Sequence, residues 1–177
     1  DTLCLPAELL RQWMTSQAGL ILICCPTGSG KSTTLAAALD WMNQSLCRHV
    51  ITIEDPVEFL FSQRMSLFTQ REVGIDTPSF AEGLRRSLRQ DPDVIFVGEI
   101  RDAETANTAI QACETGHLVL STLHASCCTD AMERLQLLFT LVSRDAVRRT
   151  LSAQLVGMLC QRLLPALPAG VAVATEY

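Results

Sequence analysis

The sequence predicts an α/β fold, a mostly parallel sheet with helices on both faces, formed as one domain. Three observations predict it. Short apolar, β-branched runs alternate with longer segments of helical character, the order that gives parallel strands joined by crossover helices. Each apolar run is continuous rather than alternating, as in strands buried on both faces. Several runs end in glycine or an acid, which places chemistry at the strands' carboxyl ends, where such sheets form their ligand crevice. With 177 residues, 48% of them apolar, the chain is long enough to bury one core of this kind.

In residues 7–17, Leu9, Leu10, Trp13 and Met14 recur at helix spacing. Gly19 then opens the first buried strand, Leu20-Ile21-Leu22-Ile23-Cys24. Residues 31–43 are dense in Ala and Leu and contain no breaker, which predicts a helix. His49-Val50-Ile51-Thr52-Ile53 is the second strand, stopped by Glu54-Asp55-Pro56. Residues 60–74 are less periodic and are expected to hold short antiparallel strands. Thr77-Pro78-Ser79 caps a helix running to residue 89, with Pro78 placed where a missing N–H is tolerated. Asp91-Pro92-Asp93 breaks it before the third strand, Val94-Ile95-Phe96-Val97, which leads into Gly98-Glu99. Asp102 caps a helix to residue 113 that ends at Gly116, and His117-Leu118-Val119-Leu120-Ser121-Thr122 is the fourth strand. Helices are expected near 128–139 and 143–161, and residues 171–177 read as a closing strand. There is no internal repeat.

Composition narrows the function classes. Acidic residues outnumber basic ones 19 to 14, so the overall field repels nucleic acid and anionic lipid. The clusters Arg85, Arg86, Arg89 and Arg144, Arg148, Arg149 read as solvated helix faces, or as a subunit contact or nucleotide sensor. Eight cysteines at positions 4, 24, 25, 47, 113, 127, 128 and 160 contain no C-x-x-C pair, which favours reduced, mostly buried thiols over zinc or disulfides. No apolar run is long enough to span a bilayer and no signal-peptide pattern occurs, which predicts a cytosolic protein. Asp1 in the first position, and a last strand without a tail, lead to the expectation of a fragment of a longer protein.

The run Cys25-Pro26-Thr27-Gly28-Ser29-Gly30-Lys31-Ser32, followed by Thr33, fits the phosphate-binding pattern G-x-x-x-x-G-K-[ST] apart from Cys25 at the first glycine position. In such a loop, successive backbone N–H groups wrap phosphates, Lys31 reaches the β- and γ-phosphates, and the Ser32 hydroxyl is a Mg²⁺ ligand. Strand before and helix after supply the required context, and the helix beginning at Lys31 adds its partial positive charge. Cys25 starts the turn farthest from Lys31, so a small residue is tolerated there if its φ is negative. The third strand resembles a Walker B strand with Gly98 at the usual acid position and the acid at Glu99, a carboxylate able to orient the attacking water or to hold Mg²⁺ through a water. Glu54, Asp55 and Glu58 are candidates for a second acidic group. His117 and His124 flank the fourth strand, either as hydrogen-bonded structural histidines or as sensors of the γ-phosphate.

Together, the P-loop run, Thr52-Ile53-Glu54-Asp55-Pro56-Val57-Glu58, Asp91-Pro92-Asp93-Val94-Ile95-Phe96-Val97-Gly98-Glu99-Ile100-Arg101-Asp102 and Thr115-Gly116-His117-Leu118-Val119-Leu120-Ser121-Thr122-Leu123-His124 resemble the Walker A, Asp box, Walker B and His box of the secretion ATPases of type II secretion and type IV pili. The four motifs stand in family order and cover nearly the whole chain. The resemblance implies that residues 1–177 are a RecA-like P-loop NTPase core, the C-terminal ATPase domain of a ring-forming, usually hexameric motor. It further implies ATP and Mg²⁺ as ligands, an inner-membrane platform protein as partner, and a cytoplasmic site peripheral to the inner membrane. Carried over by motif position, Glu54 is the Asp-box acid that helps activate water, Glu99 the Walker B acid, and His117 and His124 the His-box residues. A PAS-like domain precedes this core in the family, and C-terminal helices follow it in retraction motors. Assembly motors typically carry a four-cysteine zinc insertion after the His box; its lack here, and Gln70-Arg71-Glu72-Val73-Gly74, resemble the pilus-retraction branch.

Assembly, type II secretion and conjugation motors of the same superfamily remain open as alternatives. So does a non-hydrolysing regulatory subunit, motivated by Cys25. A nucleic-acid translocase is opposed by the acidic balance and by the lack of interleaved basic and aromatic residues.

Overall fold

Every apolar run read as a strand folds as one. In chain order the elements are α1 (Ala7–Met14), β1 (Gly19–Cys24), α2 (Lys31–Ser45), β2 (His49–Glu54), β3 (Leu67–Glu72), α3 (Phe80–Ser87), β4 (Val94–Val97), α4 (Ala103–Glu114), β5 (Leu118–Leu123), α5 (Cys128–Leu137), α6 (Leu141–Gln154), β6 (Leu155–Ala166) and β7 (Gly170–Glu176). The computed structural model describes residues 5–166 and 170–177, so Cys4 lies outside the described residues. The strands form one seven-stranded sheet in the order β3-β2-β4-β5-β1-β6-β7. All neighbours pair in parallel except β6 and β7, which are antiparallel.

The period-2 alternation of strand side chains divides the core. Leu20, Leu22 and Cys24 of β1 join a cluster with residues of α3, α4, α5 and α6 on one face. Ile21, Ile23 and the following Cys25 join α1 and α2 on the other. β1, β4 and β5 are buried along their whole length, as continuous apolar runs require. The seven cysteines of the described residues are free thiols. Burial pushes those of Cys24 and Cys113 up to about 12, so they behave as small hydrophobes.

Helix entries follow the caps read in the sequence. The Ser79 side chain accepts the Glu82 N–H at 3.1 Å and that of Asp102 accepts the Thr105 N–H at 2.8 Å. Pro78 stands one residue ahead of the Ser79 cap, outside the helix, rather than in its first turn. Arg85 pairs with Glu82 and Glu104, and Arg86 with Glu82, tying α3 to α4 on an exposed surface.

Two expectations are corrected. Residues 60–74 hold no antiparallel pair: β3 runs parallel to β2, with His49 opposite Leu67 and Glu54 opposite Glu72. The connection before β3 folds back to the start of β2. There Gln63 exchanges hydrogen bonds with the Phe68 backbone at 2.7 and 2.8 Å, and Phe61 stacks on Phe68 with ring centroids 4.7 Å apart. Residues 155–161 are strand and not helix, because β1 needs a partner on its second side and Gly157 to Cys160 supply it in register with Ile21 to Cys24. Gly157 lies directly under the Trp13 ring, which a Cβ at that position would overlap. Gly157→Ala is therefore expected to destabilise the fold by about 1–3 kcal/mol through overpacking, read as a lower urea midpoint.

Candidate functional site

β2, β4, β5 and β1 are consecutive in the sheet and parallel, so their carboxyl ends emerge along one edge at steps of about 4.8 Å. From these ends come, in order, Glu54, Gly98-Glu99, His124 and the glycine loop. They surround a cavity of about 520 Å³.

Within the loop, Gly28 and Gly30 have φ of 77° and 82°, left-handed values that glycine adopts without steric cost. Asp91 is the one non-glycine residue with positive φ among the described residues, so Cys25 satisfies the condition for replacing glycine. Its side chain is fully buried in the α1–α2 face of the core, burial pushes its thiol pKa up, and its N–H donates to the Leu123 carbonyl at 3.2 Å. The Lys31 ammonium donates to the carbonyls of Cys25 at 3.0 Å and Pro26 at 3.1 Å. From β6, the buried Gln161 amide donates to the Ser29 carbonyl at 2.5 Å and accepts the Thr34 hydroxyl at 2.8 Å. A Cβ on Gly30 would come to 3.2 Å from that amide nitrogen, which leaves little room for any other residue.

Glu54 is 7% exposed. Its Oε1 accepts the Thr52 hydroxyl at 2.6 Å and the Gln70 amide at 3.3 Å. Desolvation raises its pKa above the ordinary carboxylate value, against the lowering effect of these two donors. Glu99 is held differently, by Arg101 Nε at 2.7 Å on one oxygen and His124 Nε2 at 3.3 Å on the other. Arg101 also approaches Asp55 at 3.8 Å. The Ser32 hydroxyl donates to Glu58 at 3.0 Å. Ser32, Glu54, Asp55, Glu58 and Glu99 thus give the cavity an all-oxygen donor set, which fits a small hard cation such as Mg²⁺.

Of the residues singled out in the sequence, Thr27, Gly28, Ser29, Gly30, Lys31, Ser32, Thr33, Glu54, Glu99 and His124 line this cavity. Cys25 and Pro26 lie beneath it as the acceptors of Lys31. His117 does not join the group. It stands at the amino end of β5, about 20 Å along the strand from His124, with Nδ1 3.1 Å from the Ala112 carbonyl and 3.2 Å from the Thr115 hydroxyl. Gln161 had no signal in the sequence, since its partners are more than a hundred residues away. Arg101 stood inside the quoted Walker B run without a role.

The family described as Type II/IV secretion system protein matches residues 6–173. The type IV pilus retraction ATPase PilT of Pseudomonas aeruginosa is 46% identical over 169 residues, covering 96% of this chain and 49% of that protein. The type II secretion system protein E of Pectobacterium carotovorum is 48% identical over 157 residues, covering 89% of this chain and 30% of that protein. A crystal structure of the pilus retraction motor PilT with bound ADP superposes with a TM-score of 0.95 at 50% identity, over 99% of this chain and 51% of that one. The chain spans about half the length, or less, of the curated relatives it matches. Among the described residues no helix is long and apolar enough to cross a membrane. The family match runs almost from end to end, and the chain belongs to the type II/IV secretion system protein family.

Proposed function

We propose that this chain is the ATP-binding and ATP-hydrolysing core of a ring-forming, hexameric motor that powers type IV pilus retraction. The observation that carries the reading is the gathering of the glycine loop, Glu54, Glu99 and His124 around one cavity by four consecutive parallel strands. The similarity to the retraction ATPase and to the ADP-bound motor supports the nucleotide and the branch. The unstrained backbone and buried side chain of Cys25 favour turnover over a purely regulatory role.

In this mechanism the N–H groups of residues 28–32 cradle the phosphates at the start of α2, and Lys31 turns from its carbonyl partners to the β- and γ-oxygens. Magnesium, when bound, offsets the charge of those oxygens. Ser32 and Glu99 would hold it. Glu54 is the base that takes the proton of the attacking water, since its carboxylate accepts neutral donors, the Thr52 hydroxyl and the Gln70 amide, whereas Glu99 is tied to Arg101 and His124. His124 shares Glu99 with Arg101 and so feels the charge at the γ-position; His117 holds the amino end of β5. An inner-membrane platform protein is the partner on which the ring acts, and the motor works at the cytoplasmic side.

The full-length protein is expected to release phosphate from ATP only with Mg²⁺, and Ser32→Ala to raise the Mg²⁺ needed for half-maximal rate roughly 10–100-fold. No Mg²⁺-dependent phosphate release above background would sink the ATPase reading. Deletion of the gene should leave cells hyperpiliated and unable to twitch; bald cells would reassign the motor to assembly.

A further inference from the structure

Four elements, β1, α5 and the β6–β7 hairpin strands, bring thiols and a carboxylate together on the sheet face opposite Cys25. Cys24 of β1 is the register partner of Cys160 on β6, and Cys160 is the partner of Glu176 on β7. These three positions therefore form one row across the sheet. Cys128, the first residue of α5 after its cap Cys127, lies over that row. Its N–H donates to the Glu176 carboxylate at 3.3 Å and its thiol stands 3.6 Å from the Glu176 carbonyl. The sulfurs of Cys128 and Cys160 and a carboxylate oxygen of Glu176 all lie within 4.8 Å of one another. Cys24 sits behind Cys160 at the buried end, while Glu176 is exposed at the other, so the group opens to solvent along one side.

We propose that Cys128, Cys160 and Glu176 form a binding site for a thiophilic divalent cation of the zinc class, with water in the fourth position. Zinc–sulfur bonds of about 2.3 Å in tetrahedral geometry set ligand atoms roughly 3.8 Å apart, so the present separations, all within 4.8 Å, need to close by at most about 1 Å. The two ligands that move, at the first turn of a helix and on an edge strand, are the free-standing ones, whereas Cys160 is fixed in the sheet. Two sulfurs select zinc over magnesium. Binding displaces the two thiol protons to solvent and fastens β7 and α5 to the strand neighbouring β1. The site is invisible to spacing rules because its ligands come from three separate elements.

The test is a Co²⁺ titration of the purified, reduced protein with excess Mg²⁺ present to fill oxygen sites. The expected result is thiolate-to-cobalt charge-transfer absorption that saturates at one equivalent and is abolished by one equivalent of Zn²⁺. Cys128→Ser should remove the band, Glu176→Gln should weaken cobalt binding by at least about tenfold, and Cys47→Ser, an exposed cysteine elsewhere, should change nothing. Cys128 is half-buried and Glu176 exposed, so both variants keep the fold, checked by circular dichroism. Absence of the band in the parent protein, its persistence in Cys128→Ser, or a Cys128–Cys160 disulfide formed in preference to cobalt binding under the same buffer would each overturn the proposal.

Discussion

Glu54→Gln is expected to lower ATP turnover by roughly 10²–10⁴-fold, the range for losing a positioned general base, while leaving nucleotide affinity nearly unchanged. The glutamine keeps an oxygen for the Thr52 hydroxyl and the Gln70 amide, so the local geometry survives and only the proton acceptor is lost. The same change should stabilise the nucleotide-free protein. Desolvation raises the folded-state pKa of Glu54, so the folded chain binds this proton more tightly than the unfolded one. The group's stabilising contribution is complete below the ordinary carboxylate range and is lost as pH rises through the raised value. Glu54→Gln escapes that loss, and its urea midpoint should gain on the parent protein as pH rises from acid to neutral. A turnover loss matched by an equal loss of binding would remove Glu54 from the role of base, and a midpoint difference independent of pH would contradict its raised pKa.

Lys31→Ala should weaken ATP binding by roughly 10²–10⁴-fold, corresponding to two charge-assisted hydrogen bonds of about 1.5–3 kcal/mol each. The electrostatics of the cavity make this residue hard to replace. Glu54, Asp55, Glu58 and Glu99 line it, against only Lys31 and Arg101 as full cations among the described residues, and Arg101 is already paired with Glu99. Without Lys31, an arriving triphosphate meets carboxylates and the amino end of α2 alone. The carbonyls of Cys25 and Pro26 lose a donor as well, but they border the open loop and rehydrate. Titration of full-length protein with a fluorescent ATP analogue measures the effect; an affinity within a few-fold of the parent would contradict the assignment.

What could be read from the sequence followed from local chemistry. The glycines of the loop, the Ser79 and Asp102 caps and the uninterrupted apolar runs each carry their own structural instruction, and each holds in the fold. The failures arose where the deciding partner is distant. The segment 155–161 has the short apolar character that fits helix or strand, and only the unpaired side of β1 and the Trp13 ring over Gly157 select strand. β3 reads as irregular because its alternation is half-buried, and its direction is set by the long connection that folds back along β2. At the site, Glu54 and Glu99 were legible as acids ending strands, but their different surroundings depend on Thr52, Gln70, Arg101 and His124 meeting them in space. His117 illustrates the reverse: adjacent to the same strand as His124, it belongs to the edge without chemistry.

The single amide of Gln161 makes the shape of the glycine loop depend on the last hairpin of the chain. From β6 it grips the Ser29 carbonyl on one side and the Thr34 hydroxyl on the other. Because neighbouring side chains on a strand face opposite ways, a slip of β6 by one residue turns Gln161 away from both partners together. The loop is thus a latch whose keeper is mounted on β6, and shifting that strand unfastens it from a position that itself touches no phosphate.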